Sequence, residues 1–270
     1  MVGILDIQFN PVIGDKQANL KTVENFIAKN SDKKLDLVVI PEFFSTGISH
    51  DAFEKFPEDA NGGETIAYLS ELAKKYKTNI VCGTVIEKNG NNFYNTCFVL
   101  NRQGEIVCKY SKIHLFNYTG GNEGELITPG DKAVVANLDF GKVGLSVCFD
   151  MRYPLLIRKL AQMGAQIVVL PTAWVIPNKI YNNDKSKRFE RDIWLAMNRT
   201  RAYDNMVYVV VSNETGKANE NVSSLGSSLI ISPKGEILAD AKDEQTALYF
   251  DVDLDVLEKM KLQYPITSID

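Results

Sequence analysis

Apolar residues recur along this chain in two rhythms, and the switches between them mark out its elements. VGILDIQFNP (2–11) opens as a strand, and ANLKTVENFIAK (18–29) places Leu20, Val23, Phe26 and Ile27 on one helical face. LDLVVIPEFF (35–44) is a continuous β-branched run stopped by Pro41, as expected of a strand buried on both faces. GETIAYLSELAKKY (63–76) is helical again, with Ile66, Leu69, Leu72 and Ala73 on one side and lysines at its end, where they suit the helix dipole.

From 80 to 114 the rhythm changes. IVCGTVIEK, FYNTCFVLN and EIVCKYSKIHLF are separated by NGNN and RQG, which reads as antiparallel hairpins. VVANLDF and KVGLSVCF pair around Gly141. PLLIRKLAQMGAQ (154–166) is a helix, and IVVLPTAW after it echoes LVVIPEFF: helix, apolar strand, proline, change of character. The echo suggests two related halves. A polar stretch, PNKIYNNDKSK (177–187), leads into the helix RDIWLAMNRTRAYDN; MVYVVVSN and SSLIISPKGEIL are strands, and 246–266 gives one more strand and an amphipathic helical turn. Buried and hairpin-type strands together predict a layered α/β fold with mixed sheets. No dinucleotide or P-loop glycine motif opens a helix after a strand, and GGNEGE at 120–125 has no such context.

Composition narrows the picture. At 270 residues, 45% hydrophobic and 24% charged, the chain suits a single globular domain over 1–270 rather than a disordered or fibrous one. A net charge of -4 offers no footprint for nucleic acid or an anionic membrane. No apolar run approaches the roughly 18 residues of a membrane span, and the start lacks signal-peptide character, so a cytoplasmic location is expected. The four cysteines, Cys82, Cys97, Cys108 and Cys148, read as free thiols, and His50 and His114 belong to no metal-ligand cluster.

Three polar residues stand out at strand ends. Cys148, in VGLSVCFDMRYP (143–154), sits at a strand-to-helix turn whose free N–H groups and dipole favour a thiolate. A small buried hydrophobe is the alternative, and it describes the other three cysteines. Lys112 and His114 lie two apart on an expected strand and point the same way, so either or both can line a site. Lys112 either snorkels to solvent or meets a carboxylate. Glu42, between Pro41 and two phenylalanines, is an acid whose burial costs free energy unless it is paired; a surface strand end is the other reading.

Taken together, PEFFSTG around Glu42, KYSKIHLF around Lys112 and GLSVCFDMRYP around Cys148 resemble the nitrilase superfamily, carbon–nitrogen hydrolases with a Glu-Lys-Cys triad. The resemblance runs over nearly the whole chain, through TPG (128–130), PTAW and RTRAYDN. It implies a four-layer αββα sandwich with two mixed sheets, assembled as a homodimer or higher homo-oligomer, and no metal or organic cofactor. It also implies Glu42 as general base, Cys148 as nucleophile and Lys112 as oxyanion partner with the Phe149 backbone N–H. Glu123, six residues before Pro129, falls where the family has a second glutamate that orients the lysine, and His114 becomes a supporting residue at the edge of the site.

CFDMRYP resembles the pattern of the ω-amidases and deaminated-glutathione amidases, which implies a small amide substrate bearing a carboxylate. Arg152 either grips that carboxylate with its planar fork or makes a structural ion pair. Trp174 and Tyr181 are candidates to line the pocket, with core packing as their default. The segment PTAWVIPNKIYNNDKSKRFERDIW replaces a shorter Gly-Phe-rich stretch of the ω-amidases, which leaves the substrate open. Hydrolysis of N-carbamoyl compounds by the same triad, and a non-catalytic binding module on the same fold, are the competing readings.

Overall fold

The computed structural model describes residues 1–60, 63–118 and 121–264. Two large sheets stack face to face. The first orders its strands Thr246–Val252, Val2–Gln8, Leu37–Val39, Asn79–Val81, Asn92–Leu100, Val85–Asn89 and Glu58–Asp59, with Ile106–Ser111 also paired to Asn92–Leu100. The second runs Ile237–Asp240, Leu229–Ile231, Tyr208–Asn213, Ile167–Thr172, Gly141–Leu145 and Val134–Leu138. Both are mixed. Leu37–Val39 is parallel to both its neighbours, Ile167–Thr172 is parallel to both of its own, and each sheet also holds antiparallel pairs.

The layers follow from strand alternation. Ile4, Leu37, Val39, Val143, Leu145, Val169 and Val210 fill the space between the sheets. On the opposite face of the first sheet, Leu5, Ile7 and Val38 meet Leu20, Val23 and Ile27 of the helix Lys16–Lys29 and Ile66 and Leu69 of the helix Gly63–Tyr76. On the far side of the second, Val168, Leu170 and Val209 meet the helices Pro154–Gln162 and Asp184–Asn205. This is the expected αββα arrangement, and the two echoing apolar runs are the strands at the centre of its two halves.

The structure departs from the sequence reading in four places. IVCGTVIEK is two strands, not one; both run antiparallel along the same side of Asn92–Leu100, with Ile106–Ser111 on its other side, and Gly83, at φ +56°, interrupts the ladder between them. The first of the two pairs parallel with Leu37–Val39, so the 80–114 stretch is not wholly antiparallel. A third, three-stranded sheet joins Val175–Pro177, Val222–Leu225 and Thr215–Lys217. Most of the polar stretch 177–187 is helical, as Asn178–Tyr181 and the start of Asp184–Asn205, because the Asn183 side chain caps the latter by accepting from Ser186 N at 3.0 Å. Positions 265–266 of the expected C-terminal segment and 120 of the glycine-rich run lie outside the described residues.

Candidate active site

The ends of the central strands of both sheets meet at one place. Glu42 follows the strand Leu37–Val39 and is 1% exposed. Its Oε1 accepts from Lys112 Nζ at 3.0 Å and Asn95 Nδ2 at 2.8 Å, and its Oε2 accepts from Ala173 N, just past the strand Ile167–Thr172, at 2.9 Å. Glu42 is therefore gripped from both sheets. Lys112 is 2% exposed and lies one residue beyond the strand Ile106–Ser111. Its backbone is held at both ends, the N–H donating to Asn95 O at 2.9 Å and the carbonyl accepting from Gly130 N at 2.8 Å. A Cβ at Gly130 would stand 2.2 Å from Ser111 O, so the TPG turn packs against this segment only because position 130 has no side chain.

The second carboxylate on the lysine is Glu123, at the start of the short helix Glu123–Glu125. Glu123 Oε2 accepts from Lys112 Nζ and from Phe116 N, both at 2.8 Å, while Oε1 accepts from Asn95 Nδ2 at 2.9 Å. Asn95 thus ties the two glutamates together, and the sequence reading missed it. The signal was present: Asn95 shares the face of the strand Asn92–Leu100 with Cys97 and Val99, which face the inter-sheet core, so a polar residue there points inward.

Burial works against the ammonium of Lys112, but Glu42 and Glu123 outweigh it and hold its pKa well above the ordinary lysine value. Burial also raises Glu42; Lys112 opposes this and Glu123 adds to it, leaving Glu42 a stronger base than a solvated glutamate.

Cys148 opens the short helix Cys148–Arg152 with φ +48°, a conformation that costs a non-glycine residue energy and holds the side chain out of the strand's line. It is buried, and its sulfur lies near enough to the Glu42 carboxylate, Lys112 and the Ala173 N–H for all three to act on it. The expected thiolate is corrected here. Burial and the neighbouring Glu42 carboxylate push the Cys148 thiol well up, more than Lys112 and the Ala173 N–H pull it down. The balance favours the thiol form, next to a carboxylate able to take its proton. Phe149, next in the chain, presents its backbone N–H in the first turn of this short helix, where such groups have no partner within the helix.

The remaining candidates fall at different places. His114 is not on a strand with Lys112, since the strand ends at Ser111. It turns away to Asp150, with Nδ1 2.7 Å from Oδ1, and stacks on Tyr153 with ring centroids 3.5 Å apart. Arg152 is exposed, its guanidinium 5.9 Å from the Phe149 ring centre, and among the described residues it has no carboxylate partner. Trp174 is half-buried with its ring against Trp194, centroids 4.8 Å apart, and its backbone N–H donates to Asn213 Oδ1 at 3.0 Å. Tyr181 lines an outer cleft of about 320 Å³ with Asn178, Asn182, Lys217, Glu220 and Ser223, a cleft that neither glutamate, Lys112 nor Cys148 lines.

Comparison with known proteins fits this geometry. The profile of the family described as Carbon-nitrogen hydrolase matches residues 7–262. The omega-amidase NIT3 of Saccharomyces cerevisiae is 30% identical over 97% of this chain and 90% of its own length. The omega-amidase NIT2 of Bos taurus is 31% identical over 94% and 89%. The crystal structure of Saccharomyces cerevisiae Nit3, described as a member of branch 10 of the nitrilase superfamily, superposes with a TM-score of 0.85 at 29% identity, covering 98% of this chain and 94% of that one. A carbon-nitrogen hydrolase from Helicobacter pylori, 24% identical, shares the fold with a TM-score of 0.89 over 100% and 95%.

Proposed function

Since the chain belongs to the carbon-nitrogen hydrolase family and is a hydrolase of carbon–nitrogen bonds other than peptide bonds, we propose that it is a cysteine-dependent amidase of ω-amidase type. Its substrate on this reading is a small linear amide bearing a carboxylate, and its site residues are Glu42, Lys112, Cys148 and Glu123. The observation that carries the proposal is the Lys112 ammonium clamped at 3.0 and 2.8 Å between two buried glutamates, with a buried cysteine beside them.

The chemistry follows from the resting state. Glu42 takes the thiol proton as Cys148 attacks the amide carbonyl carbon, so charge passes to the carbonyl oxygen. Lys112 Nζ and the Phe149 N–H receive that oxyanion, a type of interaction worth about 3–4 kcal/mol per donor in enzymes where one has been removed. Collapse expels ammonia, which leaves with the proton held on Glu42, and a thioester remains on Cys148. Glu42 then draws a proton from water, the hydroxide adds to the thioester, and the carboxylic acid and thiol are regenerated. Glu123 and Asn95 keep Lys112 and Glu42 aligned throughout. Arg152, exposed four residues past the nucleophile and free of carboxylate partners among the described residues, is the proposed grip for the substrate's carboxylate.

Ammonia release from a panel of dicarboxylate monoamides, with N-carbamoyl amino acids alongside, tests the assignment. Turnover of the monoamides, abolished in a folded Cys148→Ala protein, is the expected result. Turnover of the carbamoyl compounds alone would reject the ω-amidase reading, and ammonia release that survives Cys148→Ala would reject the mechanism.

We also propose that the chain acts as one unit over 1–270, in the cytoplasm, as a homodimer. The family match over 7–262 supports the first. Four free cysteines, and the absence among the described residues of a helix long and apolar enough to cross a membrane, support the second.

A further inference from the structure

Asp150 lies two residues past Cys148, is fully buried, and among the described residues has no lysine or arginine within salt-bridge range. Its carboxylate is nevertheless saturated with donors. Oδ2 accepts from Tyr110 Oη at 2.6 Å and from Val147 N at 2.9 Å. Oδ1 accepts from His114 N at 3.0 Å and faces His114 Nδ1 at 2.7 Å. Tyr110 Oη in turn accepts from Ile113 N at 3.3 Å.

These bonds join two segments remote in sequence. Val147 immediately precedes the strained Cys148, and Asp150 N closes the same turn onto Val147 O at 3.0 Å. Tyr110, Ile113 and His114 bracket Lys112 on both sides. One carboxylate therefore fixes the backbone before the sulfur to the backbone around the ammonium. Burial, and then the Asp150 charge, push the Tyr110 hydroxyl up, so it remains a donor. The stack of His114 on Tyr153 holds the imidazole edge towards Asp150.

We infer that Asp150 is a positioning residue that sets the placement of Cys148 relative to Lys112 and Glu42, through its bonds to Val147 N, Tyr110 and His114. It touches neither substrate nor sulfur. An aspartate suits the position because four donors converge on it, and an asparagine would turn its own N–H₂ towards two of them. The inference rests on the proposed roles of Cys148, Lys112 and Glu42, and its test is chosen to stand apart from the amidase assignment.

The test is the rate at which iodoacetamide alkylates Cys148 in Asp150→Asn and Tyr110→Phe, measured well below each variant's Tm with Cys148→Ala as the background for the other thiols. Displacing the sulfur from Glu42 is expected to slow alkylation about 10- to 100-fold in Asp150→Asn, and to lower kcat on any accepted amide by a similar factor while KM changes little. Tyr110→Phe removes one donor and should lose about 3- to 10-fold; it decides the matter if Asp150→Asn does not fold. A folded Asp150→Asn, or in its absence a folded Tyr110→Phe, alkylated within about twofold of the wild-type rate would overturn the inference. Alkylation needs no amide substrate, so silence of the wild-type protein on the amide panel would count against the amidase reading and leave this result intact.

Discussion

Lys112 brings a full charge into a place closed to water, which a protein tolerates only when partners replace the lost hydration. Two carboxylates do so here, and one of them, Glu123, tunes the basicity of the other, Glu42, the proposed base for Cys148. Glu123 raises the pKa of Glu42, so replacing it has a signed consequence. The base must be unprotonated to act, and activity rises as pH climbs through its pKa. In Glu123→Gln the acid limb of kcat/KM is expected to move to lower pH, while kcat drops about 10- to 100-fold because Lys112 loses a charge-assisted bond. A pH–rate profile reads both, and an acid limb that stays in place would refute the coupling. Glu42, Lys112, Glu123 and Cys148 were legible in the sequence because short motifs surround them. Asn95 was not, since no motif marks it and its partners lie 28 and 53 positions away, and Asp150, though inside the Cys148 motif, shows its contacts to Tyr110 and His114 only in the fold.

Among elements, strands were read well wherever period-two alternation or an unbroken apolar run met a turn signal. The misreading at 80–88 is instructive. A lone glycine inside a strand-like run looks the same in sequence whether the ladder continues through it or breaks there, as it does between Val81 and Val85. Here Gly83 adopts φ +56° and a Cβ would stand 2.1 Å from Pro41 O, so this turn packs directly against the peptide that carries Glu42. Gly83→Ala is expected to cost about 1–2 kcal/mol from the left-handed conformation alone, and to shift Pro41 and with it the base. A thermal melt lowered by several degrees, with activity lost well below the new Tm, is the outcome that fits; full activity in the variant would show that Glu42 is insulated from the turn. The helical start of 177–187 escaped the sequence reading for a different reason: its polar residues cover little of the core, and only the Asn183 cap marks where the long helix begins.

For the whole molecule, the echo between LVVIPEFF and IVVLPTAW has a physical meaning. In sheets with parallel centres, the carboxyl ends of the strands form the natural site for ligands. Glu42, Cys148 and Ala173 all follow parallel strands, two of them from one sheet and one from the other. What the sequence left open is the outer surface. On the helix Asp184–Asn205, Phe189, Ile193 and Tyr203 are exposed and fall within about 80° of arc, with Ala196 and Thr200 between them. Such an apolar stripe on a charged helix suits a second copy of the chain. Phe189→Glu combined with Ile193→Glu should halve the mass seen by sedimentation equilibrium while leaving the fold intact; a wild-type protein that sediments as a monomer, or a variant that still pairs, would reject the dimer.

The protonated state of Cys148 bears on life in an oxidising cell. Peroxide attacks sulfur anions that it can reach, and burial together with the Glu42 carboxylate holds this sulfur towards the less reactive thiol form. Cys148 is therefore expected to lose reactivity to peroxide more slowly than a cysteine held as a standing thiolate, which a time course of peroxide inactivation measures.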